Sequence, residues 1–241
     1  KLSEKNIREQ DFHNQLQSKE KGRFENIFYK AIHNLNIDFF EYLERKVKNC
    51  HVLDFGCGIG SSIEKIIKII GIDISEISIN KAKIKAKDLG IDVDYKVDNC
   101  EQTNLEENSF DIIYGTGILH HLQLNKCLNE IYRLLKPNGT ILFIEPLGTN
   151  PLINLYRKLT PNARSEDEHP FVNKDFEFLE EVYGKLTVKY YGFFTLIFFF
   201  LYKSPEKSLL YKFFAYLDEM FFKIRFFRFL AWSVLIICKK N

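Results

Sequence analysis

The sequence predicts an α/β fold built on a largely parallel sheet, and three observations carry that prediction. Short apolar runs bounded by turn residues alternate with helix-periodic segments through the middle of the chain. The first run, in "HVLDFGCGIG" (51–60), passes directly into a loop with glycine at positions 56, 58 and 60. The chain has 241 residues, 46% hydrophobic and 27% charged, which suits one domain with a sizeable core and some added elements.

Residues 1–48 read as polar-faced helices forming an N-terminal lid. "FENIFYKAIHNLNIDFFEYLERKV" repeats apolar residues at helical spacing, as a segment lying across another layer does. Strands are expected at "HVLDF", "IIGID", "DVDYKV", "FDIIYG" and "GTILFIE", within a core spanning 49–147. Between them, "SSIEKIIK", "SEISINKAKIKAKDLG" and "NKCLNEIYRLLKPNG" have helical periodicity. In the last of these, Pro137 and Gly139 stop the helix and launch the next strand.

Residues 148–241 have a different texture and read as a substrate-side insertion, aromatic-rich helices and closing strands of the same domain. From Phe171 onward lie roughly three fifths of all Phe, Tyr and Trp. "LTVKYYGFFTLIFFFLY" is apolar but too short and interrupted to span a membrane. "PEKSLLYKFFAYLDEMFFKIRFFRF" puts Leu210, Phe214, Leu217, Phe221 and Ile224 on one helical stripe, with Lys207, Lys212, Asp218, Lys223 and Arg225 elsewhere around it. "AWSVLIICKK" reads as a closing strand.

A formal net charge of +2 argues against nucleic acid as a partner. Five cysteines, at 50, 57, 100, 127 and 238, form no metal-binding spacing, and an odd, scattered set predicts a reducing, cytoplasmic setting rather than a disulfide framework.

The glycine loop admits three readings: a tight structural turn, a phosphate cradle, or close approach of the backbone to some other ligand. Glycine gives up side-chain packing and conformational entropy, so three in five positions imply special backbone angles or close approach by another molecule. In an open parallel sheet, ligands gather beyond the carboxyl ends of the strands, where this loop lies. The next strand ends in Asp73, seventeen positions after Gly56, placed to accept both hydroxyls of a ribose. A nucleoside cofactor therefore fits. A dinucleotide fingerprint would be G-x-G-x-x-G, whereas here Ser61 stands at the third glycine's place and Asp54 would oppose a pyrophosphate. That acid suits a ligand carrying an ammonium and a sulfonium.

These residues carry a resemblance. "VLDFGCGIG" looks like the first motif of class I S-adenosylmethionine-dependent methyltransferases, and "IIGIDIS" resembles their second. "DNCEQTNLEENSFDIIYGTGILHHL" is similar to the third and fourth motifs of the subgroup that includes quinone-biosynthesis methyltransferases, and "LNEIYRLLKPNGTILFIEP" completes the likeness. It implies a Rossmann-like, seven-stranded, mostly parallel sheet with helices on both faces, and helical cover at both ends of the chain. It also implies S-adenosylmethionine as cofactor and S-adenosylhomocysteine as product. Gly56, Gly58 and Gly60 would let the backbone approach the methionine part, with Asp54 near its ammonium. Asp73 would hold the ribose, Ile74 would pack on adenine, and Asn99 and Cys100 would flank its edge. Asn99 stands where the family often has an acid. Gly115 and Thr116 would line the methionine end. The short segment before "IIGID" implies a clipped first helix.

Methyl transfer needs a base only when the nucleophile carries a proton. Near the carboxyl edge of the sheet, His120, His121 and Glu145 are the candidates. Tyr156, Arg164, Asp167 and His169 lie in "NPLINLYRKLTPNARSEDEHP" (150–170), where such enzymes place substrate-binding insertions; two potential ligands, Asp167 and His169, do not make a metal site, and no metal is expected. Phe12 and His13 in "REQDFHNQ" could cap the cofactor. The aromatic C-terminal third favours a small lipophilic acceptor, methylated on oxygen first and carbon next. The Lys/Arg-bearing segment 206–228 is a candidate for peripheral membrane contact. Oligomeric state is not legible. Two other readings stand beside this one: a catalytically silent binding module of the same fold, and, disfavoured by Ser61 and Asp54, a nicotinamide oxidoreductase.

Overall fold

The computed structural model describes residues 2–18, 27–60, 69–161 and 164–240. A seven-stranded sheet has the order β3-β2-β1-β4-β5-β7-β6. The strands are β1 (Val52–Phe55), β2 (Ile69–Asp73), β3 (Val93–Val97), β4 (Phe110–Thr116), β5 (Leu135–Pro146), β6 (Leu186–Tyr191) and β7 (Ser233–Lys239). The first five pair in parallel, and β7 runs antiparallel to both β5 and β6. The expected α/β, mostly parallel sheet is therefore present. Its connections reverse direction between β1 and β4, which makes the carboxyl end of β1 the switch point.

All four residues of β1 are buried, the continuous apolar reading expected of a parallel strand covered on both faces. Leu53 and Phe55 face one apolar layer together with Ile113, Phe143 and Ile236. Val52 faces the other, with Tyr114, Leu142 and Leu235. Helices α1 (Glu4–Ser18), α2 (His33–Lys46), α3 (Glu76–Leu89), α4 (Leu124–Leu134), α5 (Pro151–Leu159), α6 (Asn173–Tyr183), α7 (Phe194–Ile197) and α8 (Leu209–Lys223) surround it. Local chemistry sets several ends. Ser75 caps α3 by accepting from the Ser78 N–H at 3.1 Å, and Gly90 ends it at φ 66°. Asn150 caps α5, which opens with Pro151.

The N-terminal segment divides between two tasks. Helix α2 buries Leu35, Phe39 and Leu43 in the core layer. Helix α1 instead lies over the carboxyl edge of the sheet: Gln10 donates to the Ile74 carbonyl at 2.8 Å, and Asn14 meets the Ser75 hydroxyl. The segment 61–68, where a helix and its clipped length were expected, lies outside the described residues.

The apolar run at 186–202 divides into an edge strand, β6, and α7. Two expectations need correction. Helix α4 stops at Leu134, ahead of Pro137, but β5 opens at Leu135 and runs through Pro137 and Gly139 rather than starting after them. The helix expected over 206–228 spans only Leu209–Lys223, followed by a 3-10 segment at Arg225–Leu230. Its inward face is Tyr211, Phe214, Asp218 and Phe222, while Leu210 and Ile224 are exposed. Asp218 sets that phase. Its buried carboxylate accepts from the Phe194 N–H at 2.6 Å and the Thr195 hydroxyl at 2.7 Å, so an acid counted as surface polarity is an internal tie to α7.

Candidate active site

A cavity of about 1020 Å³ opens over the carboxyl edge of the sheet. One end is made by the glycine loop. Gly56, Gly58 and Gly60 have φ of 75°, 51° and 70°, which L side chains rarely adopt. A Cβ at Gly56 would lie 2.4 Å from Ile118, and one at Gly60 would lie 2.4 Å from the Tyr95 hydroxyl. At Gly58 nothing among the described residues lies within 4 Å. The first and third glycines are thus packing requirements, and the middle one keeps the cavity floor clear.

Asp73 ties this loop to β2. One carboxylate oxygen accepts from the Gly58 N–H at 2.9 Å and the other from the Ser75 N–H at 2.8 Å. Burial raises its pKa, opposed by those two backbone donors. Each oxygen retains a lone pair, so the carboxylate can still accept from a pair of hydroxyls. Ile74, Asn99, Cys100 and Thr116 also line the cavity, as expected.

Two expected cofactor residues sit elsewhere. Gly115 is beneath the loop, not on the cavity wall: a Cβ there would meet the Phe55 carbonyl oxygen at 2.6 Å. Asp54 is 2% exposed and likewise lies under the loop. Burial pushes its pKa up to about 8, against the Tyr114 hydroxyl, with the charge of Asp73 adding to the rise. Among the described residues its Oδ2 has no hydrogen-bond partner. A buried carboxylate with an unused oxygen fits a cationic ligand group nearby, so this end of the cavity suits the ammonium-bearing cofactor that the resemblance implies.

The middle of the cavity gathers the histidines. After β4, Gly117 at φ 64° turns the chain into a short 3-10 segment, Leu119–His121. Glu145 anchors that turn from β5. It is fully buried and accepts from the N–H groups of Ile118 at 3.1 Å and Leu119 at 2.8 Å, while its other oxygen lies 2.7 Å from His120 Nδ1. Burial lifts its pKa to about 7, opposed by the same backbone donors. Glu145 does not reach the cavity, so its expected catalytic place becomes a positioning one: it orients His120, which does line the cavity.

His121 also lines the cavity, its ring tilted against that of His120 with centroids 4.1 Å apart. Its Nδ1 lies 3.1 Å from Glu9 Oε2, and its Nε2 lies 3.9 Å from Glu168 Oε1. Neither acid was among the expected site residues. Glu9 is spaced i,i+4 from His13 on α1, a pairing visible in the sequence, but its meeting with His121 depends on the docking of α1. His13 lines the cavity, as the capping idea supposed; Phe12 does not.

The 150–170 segment contributes unevenly. Tyr156 and Arg164 line the cavity, with the Arg164 guanidinium 5.5 Å from the Tyr156 ring. Asp167 does not line it. It pairs bidentately with Arg8 at 2.8 and 2.9 Å on the surface, clasping α1 to this segment. The His169 side chain is 60% exposed and faces Asp175 at 3.3 Å; only its backbone joins the site, its N–H donating to the His120 carbonyl at 2.7 Å. Both residues were misassigned because neighbours in a loop need not point the same way. Arg157, also in the wall, donates to the Leu147 carbonyl at 2.8 Å, and burial lowers its pKa to about 10.

Much of the wall is apolar: Phe28, Tyr29, Phe39, Ile153, Leu196, Phe199 and Trp232 line the cavity, drawn from five separate stretches of sequence. Periodicity could mark them as buried but not as cavity wall.

Comparison with known proteins gives the family and the fold. A family model described as a methyltransferase domain matches residues 46–210. A ubiquinone biosynthesis O-methyltransferase of Pelagibacter ubique is 31% identical over 138 residues, covering 50% of this chain and 57% of that protein. A sterol 4-C-methyltransferase of Caenorhabditis elegans is 28% identical over 207 residues, covering 73% of this chain and 60% of that protein. The chain thus spans about three fifths of the length of these relatives. A geranyl diphosphate C-methyltransferase from Streptomyces coelicolor A3(2), solved with Mg2+, geranyl diphosphate and S-adenosyl-L-homocysteine, superposes with a TM-score of 0.67 at 15% identity, covering 100% of this chain and 99% of that one; the likeness is one of fold. With a family model matched over more than half its length, and the glycine loop, Asp73 and the histidine turn grouped at the switch point, the chain belongs to the methyltransferase-domain family.

Proposed function

We propose that the chain transfers a methyl group from S-adenosylmethionine to a small acceptor with a polar head and a lipophilic body, on oxygen first and carbon next. The observation that carries this reading is that one cavity holds a glycine loop, a ribose-competent acid, two imidazoles and an aromatic wall together.

When bound, S-adenosylmethionine supplies an electrophilic methyl group on a sulfonium and leaves S-adenosylhomocysteine. In this proposal Asp73 accepts from ribose hydroxyls, Gly58 leaves room for close backbone approach, and Ile74, Asn99 and Cys100 face the base. His120 accepts the acceptor's hydroxyl proton. With Nδ1 engaged by Glu145 at 2.7 Å, Nε2 is the remaining nitrogen, and the carboxylate stabilises the imidazolium formed. Arg157 and Arg164 border the polar head, and the aromatic wall excludes water from the rest.

The test is transfer of isotope-labelled methyl into organic-extractable product across a panel of phenols and prenyl or polyketide-like alcohols. Transfer to a hydroxyl acceptor is expected, with His120→Ala lowering kcat by about a hundredfold or more. Binding of the cofactor with no transfer to any acceptor would instead indicate a silent binding module.

The proposal includes contact with a bilayer. No helix among the described residues is long and apolar enough to cross a membrane. The outer face of α8 and the segment after it nevertheless expose Leu209 at 81%, Phe213 at 54% and Phe226 at 74%. Lys207, Lys212, Lys223 and Arg225 are exposed around them, the pairing of apolar and basic groups that favours an anionic lipid surface. Co-sedimentation with vesicles containing anionic phospholipid is expected, and should be lost in Phe213→Ser/Met220→Ser/Phe226→Ser and weakened by salt. A wild type that stays in the supernatant would remove this part of the proposal.

A further inference from the structure

We infer that Glu9, His13 and His121 form a binding site for a late first-row divalent cation, Zn2+ or Co2+ by chemical class. The three residues stand 112 positions apart at the extremes of the sequence set, and α1 brings them together at the cavity wall. One ligand atom from each lies within 4.8 Å of the others. Glu9 Oε2 is 3.1 Å from His121 Nδ1 and 3.6 Å from His13 Nε2. Donors bonded to a tetrahedral Zn2+ at about 2.0–2.1 Å stand roughly 3.3–3.4 Å apart, so these separations are those of atoms sharing one ion.

The hydrogen bonding supports this. Among the described residues, Glu9 Oε2 and both ring nitrogens of His121 are buried and make no hydrogen bond of good geometry. Glu9 and His121 meet instead as a close pair at 3.1 Å. Buried polar atoms left so are costly, and an ion at their meeting point would satisfy two of the three. An outer partner is also in place. The Ser165 hydroxyl donates to the other Glu9 oxygen, Oε1. With the metal on Nδ1, the His121 Nε2–H would point towards Glu168, whose Oε1 lies 3.9 Å away, too far for a hydrogen bond as it stands but near enough for a small shift to complete the carboxylate–histidine–metal arrangement.

Two imidazoles and one carboxylate select a borderline cation over Mg2+ or Ca2+, which prefer oxygen donors. Three protein ligands leave the remaining coordination positions opening on the cavity, as in catalytic rather than structural sites. A second cluster, His120, His121 and Glu168, shares His121. It is the weaker one, because His120 Nδ1 is held by Glu145 and Glu168 pairs with Arg164 at 3.7 Å. The site shares the cavity with the proposed methyl transfer, but metal binding is read directly and does not require the cofactor.

The test is competition titration of Zn2+ against a chromophoric chelator, on full-length protein stripped by chelator dialysis, followed by Co2+ absorption spectroscopy. One equivalent is expected to bind with a Kd in the micromolar range or below, and Co2+ should give a visible spectrum of low coordination number without thiolate charge transfer. Glu9→Gln and His121→Ala should each weaken binding by about a hundredfold or more, beyond the 10–100-fold typical of outer-partner changes. His13→Ala, on a partly exposed helix face, repeats the test should His121→Ala misfold; His169→Ala should bind as the wild type. The inference is overturned by no stoichiometric binding, by binding that Glu9→Gln and His13→Ala leave intact, or by a thiolate signature placing the metal on cysteine.

Discussion

Asp73→Ala is expected to weaken binding of S-adenosylmethionine and S-adenosylhomocysteine at least about tenfold, or roughly 1.4 kcal/mol. Two effects add. The carboxylate that would accept from the ribose is removed, and the Gly58 and Ser75 N–H groups, now held at 2.9 and 2.8 Å, lose their acceptor. Buried donors left unsatisfied cost about 1–3 kcal/mol each unless water reaches them, so the loop should also loosen. Titration calorimetry checks the first effect, and hydrogen exchange at Gly58 checks the second. Unchanged affinity would place the cofactor's ribose elsewhere.

Gly56→Ala is expected to lower stability by roughly 2–6 kcal/mol, combining about 1–3 kcal/mol for a left-handed backbone and about 1–3 kcal/mol for overpacking. The new Cβ would fall 2.4 Å from Ile118 Cγ1, at a φ of 75°. For a chain of this size the melting temperature should drop by roughly 5–15 °C. Gly58→Ala makes the contrast. Its φ of 51° carries strain, but nothing among the described residues lies within 4 Å, so about 1–2 kcal/mol is the expected loss. Its methyl group would project into the cavity and should reduce cofactor affinity more than stability. Thermal melts of both variants, with and without S-adenosylhomocysteine, separate the two roles; equal stabilities would mean that Ile118 yields freely.

Much of this was legible in the sequence, because short-range patterns report short-range physics. Apolar runs bounded by turns located five parallel strands, and the glycine loop located the switch point. The histidine pair was found because it follows the fourth strand directly. Long-range placement was not legible. Glu9 and Glu168 reach His121 only through the docking of α1 and the 160s segment. Asp54 reads as a ligand-facing acid, yet the residue alternates inward and is buried beside Tyr114. Gly115 reads as a wall residue, although its missing Cβ admits the Phe55 carbonyl oxygen. The phase of α8 is set by Asp218, whose partners on α7 no periodicity reveals. In the 150–170 segment the right residues were grouped, but only geometry separates Tyr156 and Arg164, in the wall, from Asp167 and His169, outside it.

The most direct measurement is calorimetric titration of S-adenosylhomocysteine into the folded wild-type protein near neutral pH. One-to-one binding at micromolar affinity, weakened by Asp73→Ala, is the expected result. No binding by a protein that melts cooperatively would contradict the assignment of the glycine-loop end as a cofactor site.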